Sequence, residues 1–312
     1  MRSEDLNARG RILVYEIIDV VPEPGNPQTN HKFKLFCKTD EKAPVTALCG
    51  VNGCLLAAIG NKVIMYAIDE GDLDGIAFLD VNIFVVNISS VKNLILISDV
   101  YKSVWFVVFQ EDPPKLVALG KDFHHVRVYG SEIIVSDTEM AFLVTDHNRN
   151  LHVMTYAPYA VQSQGGQRLI RRGEMNTGHH IVSFFKLKAR NDMKQYAGIA
   201  GTTSGAIVRV LPISEKMYKR MYALYSRLVT HLKHAAGLNP RGYRQIRDSQ
   251  KTVTFSVISG LPGPRLIIDE DLMSVYLNLP RPKQVELGDA IGSNRNRVID
   301  DLLELGMRCE YF

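Results

Sequence analysis

The sequence predicts a mainly β protein in which part of a β-propeller is followed by a small α-helical C-terminal domain. Up to about Leu211 it consists of short β-type runs separated by Gly, Asn, Asp and Pro, and beyond that point apolar residues recur at helical spacing. Within the β part, a turn followed by a strand that ends near a large apolar residue recurs five times. We therefore expect propeller blades over residues 1–213 and a helical domain over residues 214–312.

The recurring strands are spaced like propeller blades. They end at Tyr15, Tyr66, Phe109, Tyr156 and Leu211, roughly 40 to 55 residues apart, and a blade has about 40 to 50 residues in four strands. Earlier strand candidates in these intervals are Val45–Leu48, Leu55–Ile59, Ile76–Leu79, Leu94–Ser98, Ile181–Leu187 and Tyr196–Ala200. More polar fourth strands are expected at Lys32–Cys37, Lys115–Leu119 and Arg168–Arg171. An ordinary β-sandwich with frequent turns is the alternative.

These strands allow about four to five blades, and the first lacks strands of its own before it. A propeller closes its ring so that no strand edge stays unpaired. We therefore expect the remaining blades to lie outside this sequence. Because the open blade edges and apolar faces would be exposed, we also expect the chain on its own to self-associate.

The helical part is predicted to open with a long helix that begins after Ser214, a good N-cap residue, and ends near Gly237. One face of this helix is apolar and is expected to dock on other structure: Met217, Met221, Leu224, Leu228 and Leu232. Shorter helices are predicted over Glu270–Asn278 and Arg295–Leu305, the second with an apolar face of Val298, Ile299, Leu302, Leu303 and Leu305. The intervening Gln250–Pro264 is rich in Ser, Thr, Gly and Pro and is predicted to be a loop.

Positive charge is concentrated in the same region. The chain has 37 Lys plus Arg against 33 Asp plus Glu, but nine cations between Lys216 and Lys251 are opposed only by Asp248. The candidate contact residues are Lys219, Arg220, Arg227, Arg241, Arg244 and Arg247. Such cations form a solvated helix face, a surface for an acidic protein, or a phosphate contact that is indifferent to nucleic-acid sequence, and all three interpretations stay open.

No sequence pattern points to catalysis, a cofactor or a metal. The chain has no Gly-x-Ser-x-Gly elbow and no His-Glu-x-x-His motif. The pairs His124–His125 and His179–His180 cannot chelate one ion each, because neighbours on a strand point to opposite faces. Asp99 and Asp146 occupy equivalent turns, where Asp side chains usually bond the local backbone. We therefore predict a protein that is not an enzyme, with no catalytic residues, cofactors or metal site.

Two further classes are disfavoured. No stretch of the sequence approaches the about 20 apolar residues that a membrane-spanning helix requires, so no membrane partner is expected. The four cysteines lack metal-ligand spacing, and reduced thiols are favoured over a Cys49–Cys54 bridge. Composition and motifs together therefore predict a non-enzymatic interaction scaffold in a reducing compartment.

Six segments of the chain carry a family resemblance: Gly10–Gly25, Ala43–Cys49, Ser90–Asn93, Asp146–Leu151, His234–Arg241 and Asp300–Glu304. They resemble the CPSF A subunit family, that of the large subunit of cleavage and polyadenylation specificity factor. The match runs nearly end to end, and its most specific strings are Pro22–Gly25 and Gly237–Arg241. The related large subunits of the ultraviolet-damaged-DNA-binding complex and of splicing factor 3b share mainly the Gly-Arg-Ile opening and the blade rhythm.

The resemblance implies three seven-bladed propellers and a C-terminal helical domain, of which this chain would be the late blades of the third propeller and the helical domain. It implies a nuclear scaffold in pre-mRNA 3′-end cleavage and polyadenylation. The implied partners are a WD-repeat protein and a CCCH zinc-finger protein that read the polyadenylation signal, so contact with pre-mRNA is expected to be indirect or non-specific. The alternatives are a propeller adaptor of a ubiquitin ligase or splicing complex, and a protein that binds nucleic acid directly.

Overall fold

A computed structural model describes residues 8–26, 29–69, 71–81, 84–188, 195–232, 240–247 and 266–307. Antiparallel sheets occupy the chain up to Val210, and helices dominate after Ser214, so the predicted mainly β class is confirmed. The chain divides into two compact units. Unit 1 comprises the residues up to Val128 together with Gly166–Arg168, and unit 2 comprises Tyr129–Gly165 and the residues from Leu169 onward.

Unit 1 contains two four-stranded antiparallel sheets and one two-stranded hairpin. A four-stranded antiparallel sheet is the blade unit that the sequence predicts. The hairpin pairs β1 with β2, and the sheets have the orders β3-β4-β5-β6 and β7-β8-β9-β10. The strands are β1 Gly10–Asp19, β2 His31–Glu41, β3 Val45–Val51, β4 Cys54–Ile59, β5 Lys62–Asp69, β6 Asp72–Asp80, β7 Val85–Val91, β8 Leu94–Asp99, β9 Ser103–Gln110 and β10 Lys115–Lys121.

The core of unit 1 lies between the two four-stranded sheets. Leu56 and Met65 from one sheet pack with Ile95, Ile97 and Val107 from the other, and all five are fully buried. The inner strands β4 and β8 are buried over most of their length, as expected for strands covered on both faces. A second cluster attaches the first half of the β1–β2 hairpin to the neighbouring sheet.

One strand assignment was wrong. Ile76–Leu79 was expected to open a new blade, but it lies in β6, the last strand of the preceding sheet. The following sheet opens with β7, which the sequence did not predict because Asn87, Ser89 and Ser90 interrupt its apolar pattern. The Ser90 hydroxyl donates a hydrogen bond to the main-chain carbonyl of Gly50 at 2.8 Å, so this polar residue is accommodated at the junction of the two sheets.

Unit 2 contains a four-stranded sheet, a three-stranded sheet and the helices. The sheets have the orders β11-β12-β13-β14 and β15-β16-β17, so a fourth strand is absent from the second sheet among the residues that the structure describes. The strands are β11 Val128–Ser136, β12 Glu139–Asp146, β13 Asn150–Thr155, β14 Ile170–Asn176, β15 Ile181–Lys188, β16 Tyr196–Thr202 and β17 Ile207–Val210. Ile134, Leu143 and Leu151 form a buried cluster that Phe184, Val210 and Ile267 cover.

The helices agree with the prediction at their starts more than at their ends. They are α1 Glu215–His231, α2 Pro240–Tyr243, α3 Glu270–Ser274, α4 Arg281–Ala290 and α5 Arg295–Met307, and a 3₁₀ turn, Val275–Asn278, follows α3. The Ser214 side chain accepts a hydrogen bond from the Met217 N–H, which confirms the N-cap of α1. The expected end near Gly237 is wrong, because Leu232 is already extended and caps the helix. The hydroxyl of Thr230 and the ring of His231 instead contact the Arg227 carbonyl in the last turn.

Two other helical predictions need correction. The sequence analysis did not predict α4, whose N-cap is Pro280, just after the 3₁₀ turn. Leu303 was assigned to the apolar face of α5 and is 51% exposed. The predicted loop Gln250–Pro264 lies outside the described residues.

Cys37 is a buried free thiol, Cys49 and Cys54 are half-buried free thiols, and Cys309 lies outside the described residues. Among the residues described, no helix combines the length and hydropathy needed to cross a bilayer. The boundary between blades and helical domain at residues 213 and 214 stays a prediction.

Candidate functional site

The apolar face of α1 is buried in the helical part of unit 2. Met217, Met221, Leu224 and Leu228 are buried, and Leu232 at the C-cap is half-buried. The residues that cover this face come from the later helices and the 3₁₀ turn: Met273, Tyr276, Leu287, Val298 and Leu302. The expectation that Leu228 is buried is therefore confirmed, since its exposed fraction is 0%.

Arg220, one of the six candidate contact residues, lies on the flank of this core. Its Nε donates to Oδ2 of Asp301 on α5, and the Asp301 side chain is 1% exposed. Arg297 approaches the other carboxylate oxygen of Asp301 at 3.5 Å. Because a buried carboxylate is stable only when it is paired, Arg220 serves to hold α1 against α5.

Arg241 and Arg244 are also bound within unit 2. The Arg241 guanidinium lies 5.2 Å from the centroid of the Tyr225 ring and donates to the Ser226 hydroxyl at 2.8 Å. Arg244 donates to Oδ2 of Asp269 at 2.6 Å, to Oδ2 of Asp271 at 3.3 Å and to the Thr177 carbonyl at 3.0 Å. These contacts join the segment after α2 both to the start of α3 and to the end of β14.

The other three candidate cations are exposed. Lys219 pairs with Glu215 one turn earlier at 2.6 Å, and this hydrogen bond lowers the pKa of the Glu215 carboxyl. Arg227 is exposed on α1 next to the buried Leu228, and Arg247 is exposed beyond α2. Three of the six candidate cations therefore bind groups inside unit 2, and the other three are exposed.

The turn between β12 and β13 contains a buried polar network. Oδ1 of Asp146 accepts the main-chain N–H groups of Asn148 and Asn150, both at 2.8 Å, as the sequence analysis expected for an Asp in this turn. Its Oδ2 lies 3.2 Å from Nε2 of His152, whose Nδ1 lies 3.4 Å from Glu174. This geometry suits an imidazolium between two carboxylates.

The pKa values of the pair reflect that arrangement. Burial would raise the pKa of Asp146, but hydrogen bonds from His152 and Asn150 outweigh it, so the pKa of Asp146 is lowered. Burial would lower the pKa of His152, but the hydrogen bond with Asp146 and the nearby Glu174 carboxylate outweigh it, so the pKa of His152 is raised. Both shifts favour the charged forms, so the network is a structural ion pair.

The same network binds the C-terminal part of unit 2 through the main chain. The Asn150 side chain donates to the Arg247 carbonyl at 2.6 Å and accepts the Arg247 N–H at 3.0 Å. Nearby, the Asn176 N–H donates to the Arg244 carbonyl at 3.0 Å. The main chain of the basic segment therefore both donates and accepts hydrogen bonds with this sheet. The distribution of charge in the sequence could not reveal these contacts.

Unit 1 contains contacts between cations and aromatic rings that the sequence analysis missed. Lys121 Nζ lies 5.6 Å from the centroid of the Trp105 ring and 5.1 Å from that of Phe123. The Arg127 guanidinium lies 5.6 Å from the centroid of the Tyr101 ring. These are two separate groups of cation–ring contacts, and in one of them the antiparallel pairing of β9 with β10 places Lys121 opposite Trp105.

Comparison with known proteins agrees with the resemblance. Residues 1–278 match the family described as the CPSF A subunit region. The chain belongs to the CPSF A subunit family. Within the described residues, no group of three or more His, Cys, Asp or Glu side chains is placed to hold a metal ion.

The relatives of this CPSF A subunit chain include proteins named as cleavage and polyadenylation specificity factor subunit 1 or as CFT1. Cleavage and polyadenylation specificity factor subunit 1 of Drosophila melanogaster is 37% identical over 97% of this chain and 21% of the relative. The protein of the same name from Arabidopsis thaliana is 30% identical over 98% of this chain and 21% of the relative. Protein CFT1 of Debaryomyces hansenii is 35% identical over 77% of this chain and 18% of the relative. The chain thus spans about a fifth of the length of these relatives.

Proposed function

We propose that this chain is part of a non-enzymatic scaffold subunit in nuclear pre-mRNA 3′-end cleavage and polyadenylation. The observation that carries the proposal is the similarity over nearly the whole chain to proteins named as subunit 1 of the cleavage and polyadenylation specificity factor. The roles of the buried polar side chains agree with this proposal. The buried carboxylates Asp146 and Asp301 are paired with cations and hold elements together, as structural groups do.

The proposed partners are the subunits that recognise the polyadenylation signal, a WD-repeat protein and a CCCH zinc-finger protein. Residues 1–213 would supply propeller blades and residues 214–312 the helical domain beside them. Specific recognition of pre-mRNA would belong to those partners. In support of that division, Arg220, Arg241 and Arg244 already bind groups within unit 2, which reduces the charge left for phosphate on the helical part.

Affinity purification from nuclear extract tests the proposal. The tagged chain is expected to recover polyadenylation factors, including a WD-repeat and a CCCH zinc-finger protein. Recovery of cullin proteins or of splicing factors instead would favour the alternative adaptor functions. A matched pair of variants controls for folding: Arg227→Asp changes an exposed residue and should keep the partners, whereas Leu228→Asp disrupts the adjacent buried position and should lose any partner that requires the helical part.

A further inference from the structure

We propose that an electrostatic clasp centred on Arg244 joins the helical bundle of unit 2 to the sheets of that unit, and that the bundle detaches as a body when the charges of the clasp are screened or removed. The helical bundle comprises α1, α3, α4, α5 and the 3₁₀ turn, and the sheets are those of β11–β17. The inference rests on contacts within unit 2 and does not require the scaffold function.

The helical bundle and the sheets of unit 2 have separate apolar cores. The bundle core includes Leu224, Tyr276 and Val298, whereas the sheets have a cluster around Leu143 and Leu151. In the described part of the chain, α1 lies closely along α3 and α4, but no helix lies closely along a strand. Since apolar burial is the main force that fixes one layer on another, each body is packed chiefly within itself.

The chain passes from one core to the other over very short distances. Val210, at the end of β17, packs against the sheet cluster, and Ile213 packs against the bundle core only three residues later. The neighbours Ile267 and Ile268 are divided in the same way, the first at the sheet cluster and the second at the bundle core. Residues 211–214 form neither helix nor strand. These crossings are element-terminal positions of the kind that absorb hinge motions.

Arg244 bonds to both bodies at once. Its side chain donates to Asp269 at 2.6 Å and to Asp271 at 3.3 Å, at the start of α3. The same guanidinium donates to the Thr177 carbonyl at 3.0 Å, just after β14, and the Arg244 carbonyl accepts the Asn176 N–H at 3.0 Å. One residue therefore links the end of a sheet to the first turn of the bundle, and two of its partners are carboxylates.

A second ion pair makes the same connection from another strand. Arg209 on β17 donates to Glu270, the first residue of α3, at 2.7 Å. The side chains of this pair are 34% and 43% exposed, and the Asp271 side chain is 90% exposed. Ion pairs in contact with water weaken as salt screens them. The attachment of the bundle should therefore depend on ionic strength, unlike the apolar packing inside each body.

Hydrogen exchange of the full 312-residue chain, followed by mass spectrometry, tests the clasp. Two amides report on the junction: the Asn176 N–H, which donates to the Arg244 carbonyl, and the Arg247 N–H, which donates to the Asn150 side chain. Raising NaCl from about 0.05 M to about 0.5 M should speed exchange of both by about tenfold. Amides inside α1 and β13 should keep their rates, because the bundle and the sheets stay folded.

A matched pair of variants separates the clasp from net charge. Arg244→Gln removes the side-chain links to Asp269 and Asp271, so the junction amides should exchange rapidly at low salt and should no longer respond to added salt. Arg227→Gln removes the same charge from an exposed position on α1 and should leave exchange at the junction unchanged. Exchange inside α1 shows in each variant that the bundle is folded.

A charge exchange at the second pair provides an independent test. Arg209→Glu and Glu270→Arg should each speed exchange at the junction, because each places like charges together. The double variant restores an opposite pair and should return exchange close to that of the unmodified chain. Both side chains are partly exposed, so these substitutions leave the two apolar cores intact.

Three outcomes would overturn the proposal. Equal acceleration of the α1 amides by Arg244→Gln would show that Arg244 stabilises the fold as a whole. Exchange at the junction that is indifferent to salt would show that the attachment is not electrostatic. A double variant as fast as the two single variants would exclude attraction between positions 209 and 270. Because these measurements use the chain without other factors, they can fail while the affinity purification succeeds, and the reverse.

Discussion

Arg220 on α1 forms an ion pair with Asp301 on α5, and the carboxylate of that pair is almost completely buried. Removing the cation would leave the Asp301 charge in the protein interior with only the more distant Arg297 beside it. Arg220→Met should therefore destabilise the chain by about 3 kcal/mol or more. The neighbouring Lys219→Met removes only an exposed pair with Glu215 and should have an effect below about 1 kcal/mol. Urea unfolding of both variants measures the difference, and similar losses would contradict the structural role of Arg220.

Leu228 and Arg227 test the assignment of faces on α1. Leu228→Asp would place a charge among Tyr276, Val298 and Leu302 and should cost at least about 3 kcal/mol. Arg227→Asp alters the adjacent, exposed residue and should cost well under about 1 kcal/mol. Thermal unfolding reports both values. If the two variants shifted the melting temperature equally, the assignment of Leu228 to the docking face of α1 would be wrong.

The His152–Asp146 pair predicts a dependence of stability on pH. The raised pKa of His152 means that its stabilisation is complete below the unfolded-state value of about 6.5 and is lost as pH rises through the folded-state value. The lowered pKa of Asp146 means that its stabilisation is complete above about 3.9 and is lost as pH falls through the folded-state value. The pair should contribute most between these limits.

Chemical denaturation across a pH series checks this prediction. In the unmodified chain, the free energy of unfolding should decline as pH rises beyond the raised pKa of His152. His152→Gln should lower stability at about pH 5 to 6 and should remove that decline, because glutamine does not titrate. A variant that kept the same decline would assign the titration to another group.

The exposed half of the β1–β2 hairpin predicts self-association. Tyr15 pairs with Leu35 and Ile17 pairs with Phe33, so these four side chains share one face, and Ile17 and Phe33 are 65% and 77% exposed. Exposed apolar faces on a sheet with open edges promote association. Sedimentation should show oligomers of the unmodified chain, and the double variant Ile17→Lys with Phe33→Lys should reduce them. A monodisperse 35.0 kDa species would contradict the prediction.

The cations of the helical part are expected to make at most a phosphate contact that does not depend on nucleic-acid sequence. Arg227 and Arg247 are exposed, while the rings close to the helical cations, such as Tyr225 under Arg241, are occupied by packing. Reversing the charges of Arg227 and Arg247 should therefore weaken the binding of single-stranded RNA modestly and only at low salt. Anisotropy titrations with AAUAAA and with a scrambled oligonucleotide, at two salt concentrations, test this. A preference for AAUAAA above about tenfold that survives the higher salt would support direct recognition instead.

Local chemistry made much of the fold predictable. Ser214 marks the start of α1 because a cap depends on residues only three positions apart, and β4 is recognisable from its continuous apolar run. Contacts over longer distances defeated prediction. Ser90 in β7 finds its partner at Gly50 in another sheet. Pro280, which follows the 3₁₀ turn, is also the N-cap of α4.

The candidate site was less predictable than the fold. Charge density singled out Arg220 and Arg244, but their partners Asp301 and Asp269 lie 81 and 25 residues away in sequence. Nothing in the spacing of those residues distinguishes an internal ion pair from a solvated cation. The contact of Lys121 with the Trp105 ring illustrates the same limit, because the pairing of β9 with β10 places these two residues opposite each other.

The hydrogen bonds between Asn150 and Arg247 involve the side chain of one residue and only the main chain of the other. Position 247 can therefore change identity during evolution without loosening this joint, except for proline, which has no N–H to donate. Position 150 has no such latitude, because a carboxylate could not donate and an alkyl group could do neither. Substitutions at the two positions should therefore not be correlated, although the contact between them attaches the basic segment to its sheet.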